Sequence, residues 1–142
     1  MKTGEPALAE AVAAIVQEAE AVDRVCVGSF YSAGLDVIRR IAPAIATSAS
    51  ESEARWTLYR AWCRWPLATS RAYCAFQVPE TAGRLRVVSA PFLRQAHRDG
   101  ARVDVWVVDD PPQMIRLFDW GIDGVITDRP DVAVPVRNQC RR

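Results

Sequence analysis

The chain has 142 residues, half of them hydrophobic and a quarter charged, with a formal net charge of +1. That length suits one domain, which would bury about 68–70% of its unfolded surface, and the composition excludes a disordered chain. Charge so near neutral gives no global field to attract nucleic acid or an anionic membrane, and no apolar run approaches the roughly 20 residues that span a bilayer.

Glu5 and Glu10 interrupt any signal-peptide core. An amphipathic helix is expected over about Pro6 to Glu20, with Leu8, Val12, Ile15, Val16 and Ala19 on one face. Val25–Phe30 reads as the first strand. Ser32 is placed to cap the helix that carries Leu35, Ile38 and Ala42, and Pro43 ends it. Ala44–Ser48, small and apolar, reads as a second short strand.

Ser50-x-x-Glu53 is a capping box, opening a helix that runs to about Trp65 and is closed by Pro66. Trp56, Tyr59, Trp62 and Trp65 alternate there with Arg55, Arg60 and Arg64. Such a mixture can mark a nucleic-acid or lipid surface. The simpler expectation is a helix that buries its aromatics on the sheet while arginine stems cover the flank.

Tyr73–Val78 is the third strand, stopped by Pro79. A helix from about Ala90 to Asp99 follows, with Ser89 before it, Pro91 in its first turn and Gly100 after it. The stretch from Val103 carries a β-branched strand ending at Asp109-Asp110. Both aspartates read as helix caps. Pro111 sits where a missing N–H costs nothing, and Gln113 completes a capping-box spacing from Asp110. Met114, Leu117 and Phe118 share one face, and Gly121 can stop the helix in the left-handed conformation. Gly124–Thr127 is the fifth strand.

Strand, helix and strand in so few residues form a βαβ unit, hence a parallel sheet with right-handed crossovers and an α/β architecture. No repeat or linker divides the chain, so a single domain is expected over 1–136, with 137–142 a disordered basic tail. Cys26, Cys63, Cys74 and Cys140 show no metal-ligand spacing. They read as small buried hydrophobes in a reducing compartment, which points to the cytoplasm.

Trp106-Val107-Val108-Asp109, followed by Gly121-Ile122-Asp123-Gly124-Val125-Ile126-Thr127-Asp128-Arg129-Pro130, resembles the C-terminal signature of glycerophosphodiester phosphodiesterases. Val25-Cys26-Val27-Gly28-Ser29-Phe30, Phe76-Gln77-Val78-Pro79 and Ala96-His97-Arg98-Asp99-Gly100 match upstream, in order. The resemblance runs from about Lys2 to Asp131. Val107 departs from it, since the family usually has threonine there. The family fold is a (β/α)8 barrel of about 250 residues. The five strands would be its last five, making residues 1–136 the C-terminal part of a TIM-barrel domain. Met1-Lys2 would fall within the third barrel strand, as at an initiation site inside a longer reading frame.

The resemblance implies hydrolysis of a glycerophosphodiester to glycerol 3-phosphate and an alcohol, part of lipid metabolism, with a divalent metal such as Ca or Mg. The family's His-Arg-Gly and Glu-x-Asp motifs, second histidine and metal-binding glutamate are not in this chain. It is therefore expected to bind no metal alone, to contribute no catalytic group and to be inactive by itself. His97, the only histidine, falls mid-helix and reads as structural.

Residues at strand C-termini face a barrel's active site, which singles out Ser29, Phe30, Gln77, Trp106 and Asp128. The resemblance makes Trp106 a wall of the glycerol pocket, against a plain packing role. Ser29 and Phe30 line a pocket or pack, and Gln77 bonds a ligand or a strand-end carbonyl. Asp128 fixes the turn before Pro130 or touches substrate. Lys2 matches a family lysine that could pair with phosphate. The rival expectations are a half-barrel that self-associates through open sheet edges, and one half of a split enzyme completed by an N-terminal partner.

Overall fold

The computed structural model describes residue 1, residues 4–63 and residues 72–140. Helix α1 (Pro6–Glu18) lies on α2 (Ser32–Ile41), and a 3-10 turn at Val22–Arg24 separates α1 from β1 (Cys26–Val27). Then come β2 (Ala46–Thr47), α3 (Glu51–Trp62), β3 (Ala75–Pro79) and a small hairpin of β4 (Thr81–Ala82) and β5 (Leu85–Arg86). Helix α4 (Ala90–Arg98), β6 (Arg102–Trp106), α5 (Pro111–Trp120), β7 (Gly124–Val125) and α6 (Pro130–Cys140) complete the order.

The chain is α/β with open sheets. β1 pairs with β2 in parallel, and β3, β6 and β7 form a parallel three-stranded sheet. A parallel bridge from Ser48 to Ala75 joins the two. Five parallel strands thus follow one another in chain order, each consecutive pair connected through a helix. Phe76, Val78, Val103 and Val105 point to the helical side, where they bury with Phe92 and Leu93 of α4 and Met114 and Leu117 of α5. The period-two alternation sends Gln77, Asp104 and Trp106 to the opposite face. A second cluster joins Val27 to Ala9, Ala13, Leu35 and Ile38.

Local signals in the sequence are followed closely in two helices. Ser50 and Glu53 form both halves of the capping box, with Glu53 Oε2 accepting from Ser50 N at 2.7 Å. Asp110 caps α5 by accepting from Gln113 N at 3.0 Å, and Gly121 ends it at φ +98°.

Elsewhere packing overrules local pattern. Helix α1 buries the small residues Ala9, Ala13 and Val16, which let α2 approach, and leaves Ile15 63% exposed. Tyr31, not Ser32, occupies the N-cap of α2. β1 and β2 are shorter than the expected Val25–Phe30 and Ala44–Ser48, and among the described residues β1 has a ladder on one side only. Pro79 is the last residue of β3, paired with Trp106, not the residue that stops it.

The aromatics of α3 are not buried: Trp56, Tyr59 and Trp62 are 63%, 47% and 48% exposed. The buried stripe is Thr57, Leu58 and Ala61 with Arg60, whose guanidinium reaches Asp99 on α4. The aromatics turn outward because Thr57, Leu58, Arg60 and Ala61 occupy the inward face. Arg64, Trp65 and Pro66 lie outside the described residues.

Arg137–Cys140, expected in a disordered tail, form the last turn of α6. Pro135 interrupts that helix's hydrogen bonding, yet Ala133 and Val136 bury in the core shared with α5. No helix among the described residues is long and apolar enough to cross a membrane.

Candidate functional site

The C-terminal ends of all five parallel strands open onto one cleft of about 720 Å³. Gly28 follows β1, Ser48 follows β2, Pro79 ends β3, Trp106 ends β6 and Ile126 follows β7, and each lines it. Parallel strands bring their ends to one rim, so residues far apart in sequence meet there.

Four of the expected site residues come together. Phe30 meets Trp106 edge to face, with ring centroids 6.0 Å apart and an interplanar angle of 79°. Gln77 extends from β3 across the inner face until its Oε1 would lie 2.6 Å from a Cβ at position 28. Glycine there leaves room for the Gln77 amide beside the backbone at the end of β1. Ser29 also lines the cleft, but its Oγ accepts from Tyr31 N at 3.2 Å and so shapes the loop. The indole of Trp106 presents a flat apolar face, and Gln77 and Ser48 supply amide and hydroxyl groups, a set suited to a small polyol.

Asp128 is exposed and is not in the cleft lining. The turn before Pro130 is held by Asp109 instead, whose Oδ1 accepts from Thr127 Oγ1 at 2.7 Å and from Asp128 N at 2.9 Å. Those bonds hold the Asp109 carboxyl below its ordinary pKa. Only Asp110 of the pair is a cap. Lys2 lies outside the described residues.

His97 sits at the other end of the strands. Its Nε2 is 2.9 Å from Asp123 Oδ2, which also accepts from Val103 N at 2.7 Å. This contact staples α4 to the start of β6, away from the cleft.

The far wall of the cleft was not foreseen. Ala54 and Leu58 of α3 face Ala82, Leu85 and Val87 of the hairpin segment across it. The hairpin is anchored to α5 through Glu80, which accepts from Gln113 Nε2 at 2.8 Å and from both Arg116 Nη atoms at 2.8 and 2.9 Å. The Arg116 bonds, with Gln113, hold the Glu80 carboxyl below its ordinary pKa. Arg86 and Arg116 both lie against the Trp120 ring, at 5.1 and 4.6 Å.

A divalent cation needs several convergent oxygen ligands. Among the described residues no three His, Cys, Asp or Glu groups converge to hold one. Glu51, the carboxylate in the cleft lining, is ion-paired with Arg55. These residues do not fit the metal that the family resemblance implies.

Comparison with known proteins agrees with the geometry. "Probable glycerophosphodiester phosphodiesterase 2" of Mycobacterium tuberculosis is 32% identical over 126 residues, covering 83% of this chain and 46% of that protein. A solved structure from Silicibacter pomeroyi named for the same activity superposes with a TM-score of 0.69 at 22% identity, covering 93% of this chain and 44% of that one. A glycerophosphodiester phosphodiesterase from Parabacteroides distasonis gives 0.68 at 17% identity, over 99% of this chain and 56% of that one. At such identities the structures speak for the fold alone. The chain spans about half the length of these relatives. The family model for glycerophosphoryl diester phosphodiesterases matches residues 2–132, nearly the whole sequence. With that match over a cleft at parallel strand ends, the chain belongs to the glycerophosphoryl diester phosphodiesterase family.

Proposed function

We propose that residues 1–136 are the C-terminal part of a (β/α)8 barrel, its last five βα units, and that the cleft is the glycerol-binding side of a phosphodiesterase site. The observation that carries this is the Phe30–Trp106 pair beside Gln77, three strand-end residues around one cavity. Trp106 and Phe30 form the apolar wall, Gln77 offers the glycerol a hydrogen bond, and Ser29 shapes the rim. Lys2 pairs with phosphate once the site is complete. In the whole reaction water adds to phosphorus, the bond from phosphorus to the alcohol oxygen breaks, and that oxygen leaves with a proton. Such a step needs positive charge at the developing oxyanion, supplied in the family by a divalent metal, Ca or Mg. The donor set here lacks the ligands, so this chain binds glycerophosphodiester and does not hydrolyse it alone.

Incubating purified residues 1–142 with glycerophosphocholine and calcium or magnesium tests the reading. The expected result is saturable quenching of tryptophan fluorescence without release of glycerol 3-phosphate. Metal-dependent turnover would overturn the inactivity, and absence of any binding would overturn the site.

A second reading has its own observation. The outer edges of β1 and β7 have no strand partner among the described residues, and open edges recruit strands. A complementing N-terminal half or a second copy would close them. Size-exclusion chromatography giving a dispersed monomer counts against the second copy. Cys26, Cys63, Cys74 and Cys140 are exposed and not the buried hydrophobes expected, so burial gives them no part in the argument. The proposed location stays cytoplasmic, in lipid metabolism, on their lack of disulfide pairing and of metal-ligand spacing along the sequence.

A further inference from the structure

Two thiols meet at the end of the strands opposite the cleft. Cys26 opens β1 and Cys74 immediately precedes β3, and their Sγ atoms are 3.9 Å apart. The strand between them is β2. Cys26 is the Cα partner of Ala46, and Cys74 N donates to the Thr47 carbonyl at 3.0 Å. Ala46 shares a face with Cys26 and carries only a methyl, so the two sulfurs reach each other across β2.

That placement brings the sulfurs into contact and keeps them from closing into a disulfide. Strands in a sheet stand about 4.8 Å apart, which puts the backbones at Cys26 and Cys74 on the order of 9 Å from each other. A disulfide needs Cα atoms within about 7 Å. Two tetrahedral thiolates, each about 2.3 Å from one zinc ion, instead stand about 3.8 Å apart. Both thiols are exposed, so an ion has access to them.

Partial burial of the Cys26 sulfur, then repulsion from Cys74 and Asp104, pushes that thiol up to about 11, and Arg102 pulls the other way. A cation between the sulfurs removes the repulsion. Arg102 is not that cation, because its guanidinium is committed to Asp104, with Nη2 2.7 Å from Oδ1. Thiolates select softer ions than calcium or magnesium, which seek oxygen.

We infer that Cys26 and Cys74 hold a thiophilic divalent cation, zinc, at the amino ends of the strands, with water in its remaining positions. Binding releases both thiol protons and forms two Zn–S bonds, with no change of oxidation state. Neither cysteine lines the cleft, so the inference stands apart from the glycerol site.

Titrating the reduced full chain with cobalt(II), a coloured stand-in for zinc, tests it. One equivalent should bind with the sulfur-to-cobalt absorption of a dithiolate, and zinc should displace it. Between about pH 6 and 7, where thiols keep their protons, release of two protons should make zinc affinity rise about a hundred-fold per pH unit. Cys26→Ser or Cys74→Ser should abolish the band, whereas Cys63→Ser and Cys140→Ser should leave it. Ala46→Leu keeps both sulfurs but wedges between them, and should weaken binding about ten-fold. Unchanged urea midpoints confirm that the variants fold. Absence of the band, or a band that survives Cys26→Ser or Cys74→Ser, overturns the inference. So does a Cys26–Cys74 disulfide in air-oxidised protein, which would put the backbones closer than the sheet does.

Discussion

Replacing Glu53 by alanine separates a structural carboxylate from an ornamental surface charge. Glu53 accepts from Ser50 N and Oγ at 2.7 and 2.9 Å, closing the cap of α3, and from Arg39 Nη1 and Nη2 at 2.9 and 3.2 Å. The Arg39 side chain is only 14% exposed. Ser50 Oγ keeps the backbone N–H of residue 53, so only the reciprocal half of the capping box is lost, at about 0.5–1.5 kcal/mol. Hydrogen bonds to a charged group are worth about 1.5–3 kcal/mol. Arg39 keeps Thr47 Oγ1 at 3.0 Å and the Ser48 carbonyl at 3.2 Å, which lowers the second figure. The expected loss is about 2–3 kcal/mol, or a fall of about 1 M in the urea midpoint for a slope of about 2 kcal/mol/M. Burial pushes the Glu53 carboxyl up, but bonds from Arg39 and Ser50 outweigh it and hold the folded pKa below the ordinary glutamate value. A depressed carboxyl stabilises above its unfolded pKa, near 4.3, and that stability is lost as pH falls through the folded value. Urea unfolding at pH 7 and at descending pH reads both. A loss under about 0.5 kcal/mol, typical of an exposed pair, or a wild-type acid profile in Glu53→Gln, refutes the reasoning.

Three further outcomes follow from the site. Burial and the neighbouring Cys74 thiol 3.9 Å away push Cys26 up to about 11, so Cys26 should alkylate slowly at pH 8 and quicken toward pH 11, read by peptide mass spectrometry. Trp106→Ala removes the edge-to-face partner of Phe30 and the flat wall of the cleft; glycerophosphocholine binding should weaken about ten-fold, and loss of the ring pair should separately lower stability by about 0.5–1.5 kcal/mol. Asp109→Asn should weaken its hold on the β7–α6 turn, seen as faster hydrogen exchange at the Asp128 amide, with no change at Gln113, which Asp110 caps.

The parts of this fold legible in the sequence are those written within one turn of helix. Ser50 and Glu53 are three residues apart, as are Asp110 and Gln113, and both caps form as their spacing dictates. That Trp106, Phe30 and Gln77 meet at one cleft was legible from the strand-end rule. The end of helix α6 was hidden by the basic composition of the last residues, which reads as a solvated tail, while Ala133 and Val136 anchor the helix in the core. The exposed aromatics of α3 misled for the same reason: composition marks them as core, yet the buried stripe of the helix is Thr57, Leu58, Arg60 and Ala61.

The apolar end of the cleft was illegible for a different reason, and that difference bears on function. Glu80 and Arg116 are 36 residues apart, and nothing near either one announces the pair. Yet their contact, with Arg86 and Arg116 on Trp120, decides which way Leu85 and Val87 face. The polar end depends on positions where parallel strands must finish, so changing it disturbs the sheet. The apolar end depends on a two-stranded hairpin outside that sheet, tied down by an ion pair and a ring. Substitutions at Ala82 or Leu85 therefore reshape the apolar lining of the cleft while β3 and β6 keep their register.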